Sequence, residues 1–309
     1  MSSPVDVPVL LIAFNRPRET ELALNAIRAA RPKKLLMSVD GARPGRDREA
    51  EAVEAVVKLA ERVDWPCDVQ VKHHPKNLGC CAGVSGAISW LFENTEAGII
   101  VEDDCVADPT FFPFCAELLE RYADDRRVGM VAGSSKGLKL NSPASYGFSR
   151  YSHIWGWASW RRSWALFDPN IVDWPFIEAE GLLEAILDDP RELAFWKPRF
   201  ANVFNHTGPD NWDYQWMITL FLNRMACIVP NTNLVNNIGS GPESTHMNPL
   251  DPDLHRDTSP MTFPLTHPKF LVIDSEADRV AMRERFSVKP LHRRVLGRIK
   301  RELSRMTRR

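Results

Sequence analysis

The chain is 309 residues long, with 44% hydrophobic and 26% charged residues and a formal net charge of −1. This composition is ordinary for a globular protein with a sizeable core. No stretch reaches the ~18 consecutive apolar residues needed to cross a bilayer. Pro4, Asp6 and Pro8 interrupt any signal-peptide pattern at the N-terminus. We therefore expect a cytoplasmic protein whose residues 1–290 form one large domain.

The charge is concentrated at the C-terminus. Residues 291–309 contain seven Arg and one Lys against one Glu, a local charge of +7, which leaves −8 on residues 1–290. Leu296, Ile299 and Leu303 recur at helical spacing among the basic residues, a pattern typical of an amphipathic helix on anionic lipid. Nucleic-acid binding is disfavoured because no aromatic residues alternate with the basic ones. The tail is expected to contact the inner face of the cell membrane peripherally, with a solvated tail as the alternative.

Strand and helix signals alternate through the first 130 residues. Apolar runs at Val7–Phe14, Lys34–Val39, Cys67–Val71 and from Ile99 predict four strands, with helical periodicity between them. This order predicts an α/β fold in which a mostly parallel sheet carries helices on both faces. Residues 1–130 are expected to form a nucleotide-binding half and residues 131–290 an acceptor-binding half. The six cysteines lack metal-ligand spacing and are expected to be free thiols.

A short apolar run, Ile99 to Val101, passes directly into Glu102, Asp103 and Asp104. Three buried like charges would repel one another, so these acids are expected at the tip of a buried strand. Open α/β sheets bind ligands at that edge, and oxygen-rich clusters hold Mg²⁺ or Mn²⁺. A solvated acidic turn is the alternative.

The run VEDDCVADPTFF, in the order strand, acidic tip and helix, resembles the metal-binding motif of GT-A-fold nucleotide-sugar glycosyltransferases. It is most similar to the N-acetylglucosaminyltransferase I group and to bacterial family 2-like glycosyltransferases. The resemblance continues through Gly156-Trp157 and Trp212-Asp213 to the loop ending at His246. It implies a GT-A (Rossmann-like) fold and a UDP-sugar donor. It also implies that Asp104 is the Mn²⁺ or Mg²⁺ ligand, with Asp103 near the ribose and Glu102 supporting the metal through water.

Short segments that contain polar side chains follow the first three predicted strands. They are Phe14, Asn15 and Arg16, then Asp40, and then Asn77 and Gly79. In the resembled family equivalent groups hold the nucleoside, so these residues are expected to bind the donor, with Asp40 accepting the uracil imide proton. Asp-Gly is also a common turn pair, and an arginine can simply be solvated. The order of the signals along the chain is what favours a nucleotide site.

Eight of the ten Trp residues lie between Trp155 and Trp216. Their flat faces stack on the C–H faces of sugars, and their N–H groups can donate to hydroxyls. Trp155, Gly156 and Trp157 are therefore expected to contact the acceptor, a glycan or a lipid-linked oligosaccharide. The alternative for at least half of the Trp residues is a Trp-rich core.

Inverting glycosyl transfer needs one carboxylate that removes the proton of the attacking hydroxyl. In the resembled family the acid directly after the Trp of a Trp-Asp pair is this base, which maps onto Asp213. The motif here has an extra residue before Trp216, so Asp210 stays a rival. The loop Gly239–His246 is expected to close over the donor diphosphate, with His246 either touching the phosphate or metal, or solvated.

These features predict a metal-dependent inverting glycosyltransferase that moves a sugar from a nucleotide-diphosphate sugar to a glycan or lipid-linked acceptor. Two alternatives stay open. A sugar-nucleotide nucleotidyltransferase would share the nucleotide-binding half, but no Gly-rich pyrophosphate loop with a following Lys lies near the N-terminus. A non-catalytic glycan-binding protein would explain the Trp cluster but would leave Glu102, Asp103 and Asp104 without a purpose.

Overall fold

The computed structural model describes residues 5–239 and 256–285. The strands are β1 (Val9–Ala13), β2 (Lys34–Val39), β3 (Asp68–His73), β4 (Ala97–Glu102), β5 (Cys105–Ala107), β6 (Val128–Ala132), β7 (Tyr146–Ser149), β8 (Trp157–Trp160), β9 (Ala226–Pro230) and β10 (Val235–Asn237). The α-helices are α1 (Pro17–Ala30), α2 (Asp47–Lys58), α3 (Cys80–Asn94), α4 (Phe111–Arg121), α5 (Arg161–Trp164), α6 (Trp174–Ala179), α7 (Leu182–Ile186), α8 (Pro190–Phe204), α9 (Asp213–Leu222) and α10 (Ser275–Arg285). Within the described ranges, every helix is too short or too polar to cross a bilayer.

Eight of these strands form one sheet in the order β3-β2-β1-β4-β8-β6-β9-β7. The first four run parallel to one another, as do β6 and β9, whereas β8 and β7 run antiparallel to their neighbours. The predicted α/β class with a mainly parallel sheet is confirmed. The pairing of β8 with β4 continues the sheet from the first 130 residues into the second half of the chain.

Helices cover both faces of this sheet because its central strands are apolar on both sides. Val9, Leu11 and Ala13 of β1 belong to a core cluster that also contains residues of α1 and α4. Leu10 and Ile12 point the other way, as the period of two requires, into a cluster with α3, α8 and α9. All five β1 residues are buried, so the strand appears in the sequence as a continuous apolar run.

Two local features place the candidate site at the carboxyl ends of the strands. The connection from β1 to α1 is only three residues, Phe14 to Arg16, and Pro17 opens the helix. The short strands β5 and β10 form a separate antiparallel pair directly beyond the tip of β4. All six cysteines are free thiols, as predicted, three of them buried and three partly exposed.

Candidate functional site

The tip of β4 leads directly into the two-stranded ribbon formed by β5 and β10. Glu102 is the last residue of β4, and Asp103 and Asp104 form the turn into β5. The backbone N–H of Ile238 donates to the Asp104 carbonyl oxygen at 2.8 Å. Asn237 of β10 donates its side-chain amide to Asp104 Oδ1 at 3.0 Å. The β5–β10 ribbon therefore fixes the Asp104 carboxylate at the end of the central sheet.

Arg16 joins the β1–α1 turn to the same acids. Its Nε donates to Asp103 Oδ2 at 3.2 Å, its Nη2 donates to Asp103 Oδ1, and Nη2 also donates to Asp104 Oδ2 at 3.1 Å. The backbone N–H of Phe14 donates to Asp103 at 3.3 Å. Asp103 is only 3% exposed and both of its oxygens are engaged. Asp103 thus supports the turn that carries Arg16, and its expected contact with a ribose stays a prediction.

The strand tip carries more negative charge than Arg16 compensates. Burial, together with the charges of Asp104 and Asp103, raises the pKa of Glu102 well above its usual range. Burial likewise raises the pKa of Asp103, even though Arg16 opposes the shift. Burial lowers the pKa of Arg16, but the two aspartates outweigh it and raise that pKa overall. A bound cation would relieve this repulsion.

The donor set fits a divalent cation that is shared with a substrate. No group of three or more His, Cys, Asp or Glu side chains in residues 5–239 and 256–285 is arranged to hold a metal alone. Mg²⁺ is usually bound through one or two carboxylates together with substrate phosphates. Each Asp104 oxygen accepts a side-chain N–H, from Asn237 or from Arg16, and keeps further acceptor capacity. Asp104 can therefore be the protein ligand of a cation that a diphosphate completes.

Gly239 lies directly over this carboxylate. A Cβ built at Gly239 would be 2.3 Å from Asp104 Oδ2 and 3.1 Å from Arg16 Nη1, so a larger residue here would displace the Asp104 carboxylate. Its N–H donates to Asn237 Oδ1 at 2.8 Å. The remainder of the expected lid, including His246, lies outside the described residues, as does the basic tail at 291–309.

Asp40 organises the loops that follow β2 and β3. Its carboxylate accepts the Asn77 side-chain amide at 2.9 Å, the Leu78 N–H at 2.9 Å and the Gly41 N–H at 2.9 Å. Asn77 also donates to the Gly41 carbonyl oxygen at 2.9 Å. The structure thus brings Asp40 and Asn77 together, and their expected contact with the donor stays a prediction. Much of the acceptor capacity of Asp40 is nevertheless used within the protein.

A second carboxylate, Glu49 of α2, anchors the β1–α1 turn. Asn15 donates its side-chain amide to Glu49 at 3.2 Å, and the backbone N–H of Arg43 donates to it at 2.8 Å. Hydrogen bonding from Arg43 lowers the pKa of Glu49 to about 2. The Arg43 guanidinium also lies 5.5 Å from the centroid of the Phe14 ring. Asn15 and Phe14 are therefore fixed by Glu49 and Arg43, which the sequence pattern did not identify.

The two rival bases lie in different environments. Asp213 is the first residue of α9, half-buried, and accepts the Asn211 side-chain amide at 2.6 Å. Burial raises its pKa, although hydrogen bonds and the charge of Lys136 oppose the shift. The charge of Asp213 in turn helps to raise the pKa of Glu102, so the two carboxylates are close enough to interact. Asp213 is therefore within electrostatic reach of the strand tip, and its expected role as the base stays a prediction.

Asp210 has a structural role: it links two segments of the chain by hydrogen bonds. Its carboxylate accepts the backbone N–H groups of Cys80 and Cys81, at 2.7 and 3.1 Å, at the N-terminus of α3. Gly79 precedes that helix with φ +83°, and a Cβ there would be 2.5 Å from Asp210. Asp210 therefore joins the loop before α9 to the nucleotide-binding half. Gly79, which was expected to bind the donor, leaves room for the Asp210 carboxylate.

The Trp-rich segment mainly fills the core. Trp157 is fully buried and stacks on Trp212 with 5.7 Å between ring centroids. Its ring also packs against Trp164 and Trp216. This placement contradicts the expected role of Trp157 in stacking on an acceptor sugar, because its faces are covered by other rings. The Trp-rich core considered as the alternative accounts for this group.

The neighbouring acceptor candidates differ from Trp157. Trp155 is only partly buried, and the Lys136 ammonium lies 4.0 Å from its ring centroid. Gly156 has φ +57°, and its carbonyl oxygen accepts the Gly133 N–H at 2.7 Å. A Cβ at Gly156 would be 2.8 Å from a methyl group of Val235. Gly156 therefore has a backbone role, whereas Trp155 stays a candidate for acceptor contact.

Comparisons with known proteins add solved structures of low similarity. No protein-family model matches the chain, and no curated protein matches it. A UDP-glucose pyrophosphorylase is 8% identical, with a TM-score of 0.38 over 73% of this chain and 90% of that chain. An inositol-1-phosphate CTP transferase from T. maritima is 10% identical, with a TM-score of 0.32 over 53% and 75%. A 4-diphosphocytidyl-2C-methyl-D-erythritol synthase from Anaerococcus prevotii is 8% identical, with a TM-score of 0.32 over 52% and 73%.

The names of these proteins describe nucleotidyl transfer to a sugar or polyol phosphate, or its reverse, and so correspond to the first alternative rather than to glycosyl transfer. Similarity at this level carries no argument about the activity of this chain. The choice between the two reaction classes therefore depends on the residues of the site.

Proposed function

We propose that the protein is a metal-dependent inverting glycosyltransferase that transfers a sugar from a nucleotide-diphosphate sugar, in the first instance a UDP-sugar, to a hydroxyl of a glycan or lipid-linked acceptor. One observation carries the proposal. The charge of Asp213, at the start of α9, helps to raise the pKa of Glu102 at the tip of β4, less than burial, Asp104 and Asp103 do, although the two residues come from different halves of the chain. In this proposal the metal-diphosphate position and the candidate base share one site.

The nucleotide-binding half supplies the donor position. Asp104, held by Asn237, would be the protein ligand of Mn²⁺ or Mg²⁺. Arg16 lies against Asp104 and can interact with the negative charge of a diphosphate. Asp40 and Asn77 lie on the neighbouring loops, where a nucleoside would extend along the carboxyl edge of the sheet. When bound, the cation supplies neutralisation of the charge that develops on the departing diphosphate.

Asp213 is the group placed to remove the proton of the acceptor hydroxyl. Its pKa is raised by burial, and a carboxylate whose pKa lies closer to neutrality is a stronger base once it is ionised. Asn211 donates to it and orients the carboxylate. The hydroxyl oxygen attacks the anomeric carbon from the face opposite the diphosphate, which inverts that centre. Asp210 is bound to two backbone N–H groups and is less suited to this role.

The first alternative, nucleotidyl transfer, is disfavoured by the β1–α1 connection. A nucleotidyltransferase must bind a nucleoside triphosphate and hold the pyrophosphate that leaves, commonly with a glycine-rich loop whose N–H groups face the phosphates. The connection here is three residues, contains no glycine, and continues into Pro17, which has no N–H.

The decisive experiment measures both reaction classes on one preparation. The protein is incubated with Mn²⁺ and each of a set of nucleotide-sugars, and released nucleoside diphosphate is measured. In parallel, it is incubated with nucleoside triphosphates and sugar 1-phosphates, and pyrophosphate is measured. We expect nucleoside diphosphate release that needs the divalent cation and rises when an acceptor glycan is added. Pyrophosphate formation without nucleoside diphosphate release would instead assign the chain to the nucleotidyltransferases.

A further inference from the structure

The two edges of the eight-stranded sheet are protected differently. At one edge, the segment that precedes α10 covers β7, where Asp274 N donates to Phe148 O at 2.8 Å. At the other edge, β3 pairs only with β2 in the part of the chain that the structure describes. The last three residues of β3, Val71, Lys72 and His73, are exposed. An open edge of this kind presents backbone groups with which another strand can pair.

The backbone of β3 determines which of its groups face outwards. The Asp68 N–H donates to the Lys33 carbonyl oxygen at 2.8 Å, so the backbone groups of Asp68 face β2. Along an edge strand, successive residues direct their N–H and C=O groups alternately towards the neighbouring strand and away from it. The N–H and C=O groups of Val69, Val71 and His73 therefore face away from β2.

An antiparallel copy of β3 can pair with these groups in only a few registers. Residues that exchange hydrogen bonds in an antiparallel pair stand opposite each other, so outward-facing residues must oppose outward-facing residues. For two identical strands, this condition holds only when one residue stands opposite its own copy. If that residue is Gln70, then Val69 of each copy lies opposite Val71 of the other, and the two form a hydrogen-bonded pair.

The side chains favour the register that is centred on Gln70. This register places Asp68 of each copy opposite Lys72 of the other, which gives two symmetric pairs of opposite charge. Both are non-hydrogen-bonded pairs, in which the side chains of an antiparallel ladder are closest. A register centred on Asp68 or on Lys72 would instead place like charges opposite each other, which is unfavourable. A register centred on Val69 or Val71 puts Gln70 opposite one of the charges.

Both faces of β3 are compatible with this pairing. The Lys72 ammonium lies 5.6 Å from the centroid of the Trp90 ring on α3, which places the lysine on the α3 face of the strand. Asp68 lies on the same face, because side chains alternate with a period of two. On the opposite face, Val71 is 42% exposed. Pairing would bring Val69 of the other copy against it and remove apolar surface from water.

We propose that the protein forms a two-fold symmetric dimer in which β3 pairs antiparallel with β3 of a second copy, with Gln70 opposite its own copy. The contact uses the same surface on both copies, so it closes at two copies and does not extend into a filament. Because the paired strands run in opposite directions, the two candidate sites lie at opposite edges of the joined sheet. This inference is independent of the proposed catalytic function, because it uses none of the same residues.

Charge reversal with a restoring partner tests the proposed register in the full chain. Lys72→Asp opposes two acids in both symmetric pairs, and Asp68→Lys opposes two lysines. Each single variant should raise the dissociation constant of the dimer at least ~10-fold, whereas the variant with both changes should recover the wild-type value. The matched control is Lys269→Asp, which reverses an exposed charge beside β7 and should leave the dimer unchanged. Sedimentation equilibrium measures the association. A monomeric wild type, or a double variant no more associated than the single variants, overturns the proposal.

A second measurement does not depend on loss of association. Gln70→Cys places two thiols opposite each other with their Cα atoms about 4.5 Å apart, within the range that a disulfide spans. Val71→Cys is the control, because in this register its own copy is two residues further along, at about 7–8 Å. With diamide as the oxidant, we expect a covalent dimer above the wild-type level only for Gln70→Cys, as followed by non-reducing electrophoresis. Cross-linking of Val71→Cys to the same or a greater extent, or of neither variant, overturns the proposal.

Discussion

Two groups of carboxylates flank the turn between β1 and α1, and they differ in how they are neutralised. Glu49 is bound by Arg43, lies 3.7 Å from Arg46 and accepts the amide of Asn15, and its pKa is lowered to about 2. At the strand tip, Glu102, Asp103 and Asp104 share Arg16, and burial with mutual repulsion raises the pKa of Glu102 and of Asp103.

This contrast separates a structural acid, Glu49, from the acids that we propose to be functional. Glu49 is stabilised as an anion by partners within the fold, so its charge contributes to the stability of the folded state. The strand-tip acids are held together at a cost that a bound cation can offset, as is common where carboxylates serve function rather than stability. Substitutions in the two groups should therefore have opposite effects on stability and on ligand binding.

The largest effect is expected for Asp104→Ala, which should abolish metal-dependent binding of the donor. The substitution removes the proposed protein ligand and one of three repelling charges, so the melting temperature should stay constant or rise slightly. Calorimetric titration of UDP in Mn²⁺, with wild-type protein in EDTA as the reference, measures the binding. Unchanged Mn²⁺-dependent affinity for UDP in the variant would show that Asp104 does not hold the metal.

The next largest effect is expected on the rate of transfer, with no change in donor binding. Asp213→Asn keeps the size of the side chain but cannot take up the proton, so transfer should fall by ~10² or more while donor affinity persists. Turnover with a saturating donor and the calorimetric affinity separate the two quantities. Slow donor hydrolysis can continue in the variant, because water can lose its proton to bulk solvent.

The matched control for this prediction is Asp210→Asn. It keeps one oxygen for the α3 N–H groups and should reduce transfer far less than Asp213→Asn. The reverse ranking, with transfer lost in Asp210→Asn and normal in Asp213→Asn, would make Asp210 the base. It would also mean that its contacts with Cys80 and Cys81 open when substrates bind.

The sequence predicted the first half of the fold closely because three of its four strands, β1, β2 and β4, are buried on both faces and appear as continuous apolar runs. The predicted strand Lys34–Val39 matches β2 in both bounds. The acids at the strand tip were located for the same reason. Contacts between distant positions were not predicted, since periodicity describes only local structure. Asn237 lies 133 residues from Asp104 and is one of several asparagines in its segment.

The same limit explains the incorrect expectation for Trp157. Its residue type suits both a core and a sugar-binding surface, and only the packing of Trp212, Trp164 and Trp216 around it decides between them. Glu49 was missed because an acid in the first turn of a helix is commonly solvated, and its partners Asn15 and Arg43 precede the helix. The role of Asp210 likewise depends on a contact made across 130 residues.

A third prediction concerns Glu49, the acid that stabilises the fold. Glu49→Gln removes the negative charge that Arg43 and Arg46 face while it keeps the length of the side chain. Because charged hydrogen bonds are lost at a buried position, the free energy of unfolding should fall by about 1–3 kcal/mol. Chemical denaturation measures this change. If the variant is as stable as the wild type, Glu49 does not stabilise the β1–α1 turn.

The smallest expected effect is a pH dependence of the difference in unfolding free energy between the wild type and Glu49→Gln. The pKa of Glu49 is about 2 in the folded protein, below its ordinary value of 4.5, so its ionised form stabilises the folded state above about pH 4.5. As the pH falls from 4.5 towards 2, the unfolded state takes up the proton first and this contribution is lost. The wild type and Glu49→Gln should therefore converge in stability across that window, as followed by urea unfolding at a series of pH values. A difference that stays constant down to pH 2 would mean that the Gln side chain costs stability through packing, and that the charge of Glu49 contributes nothing.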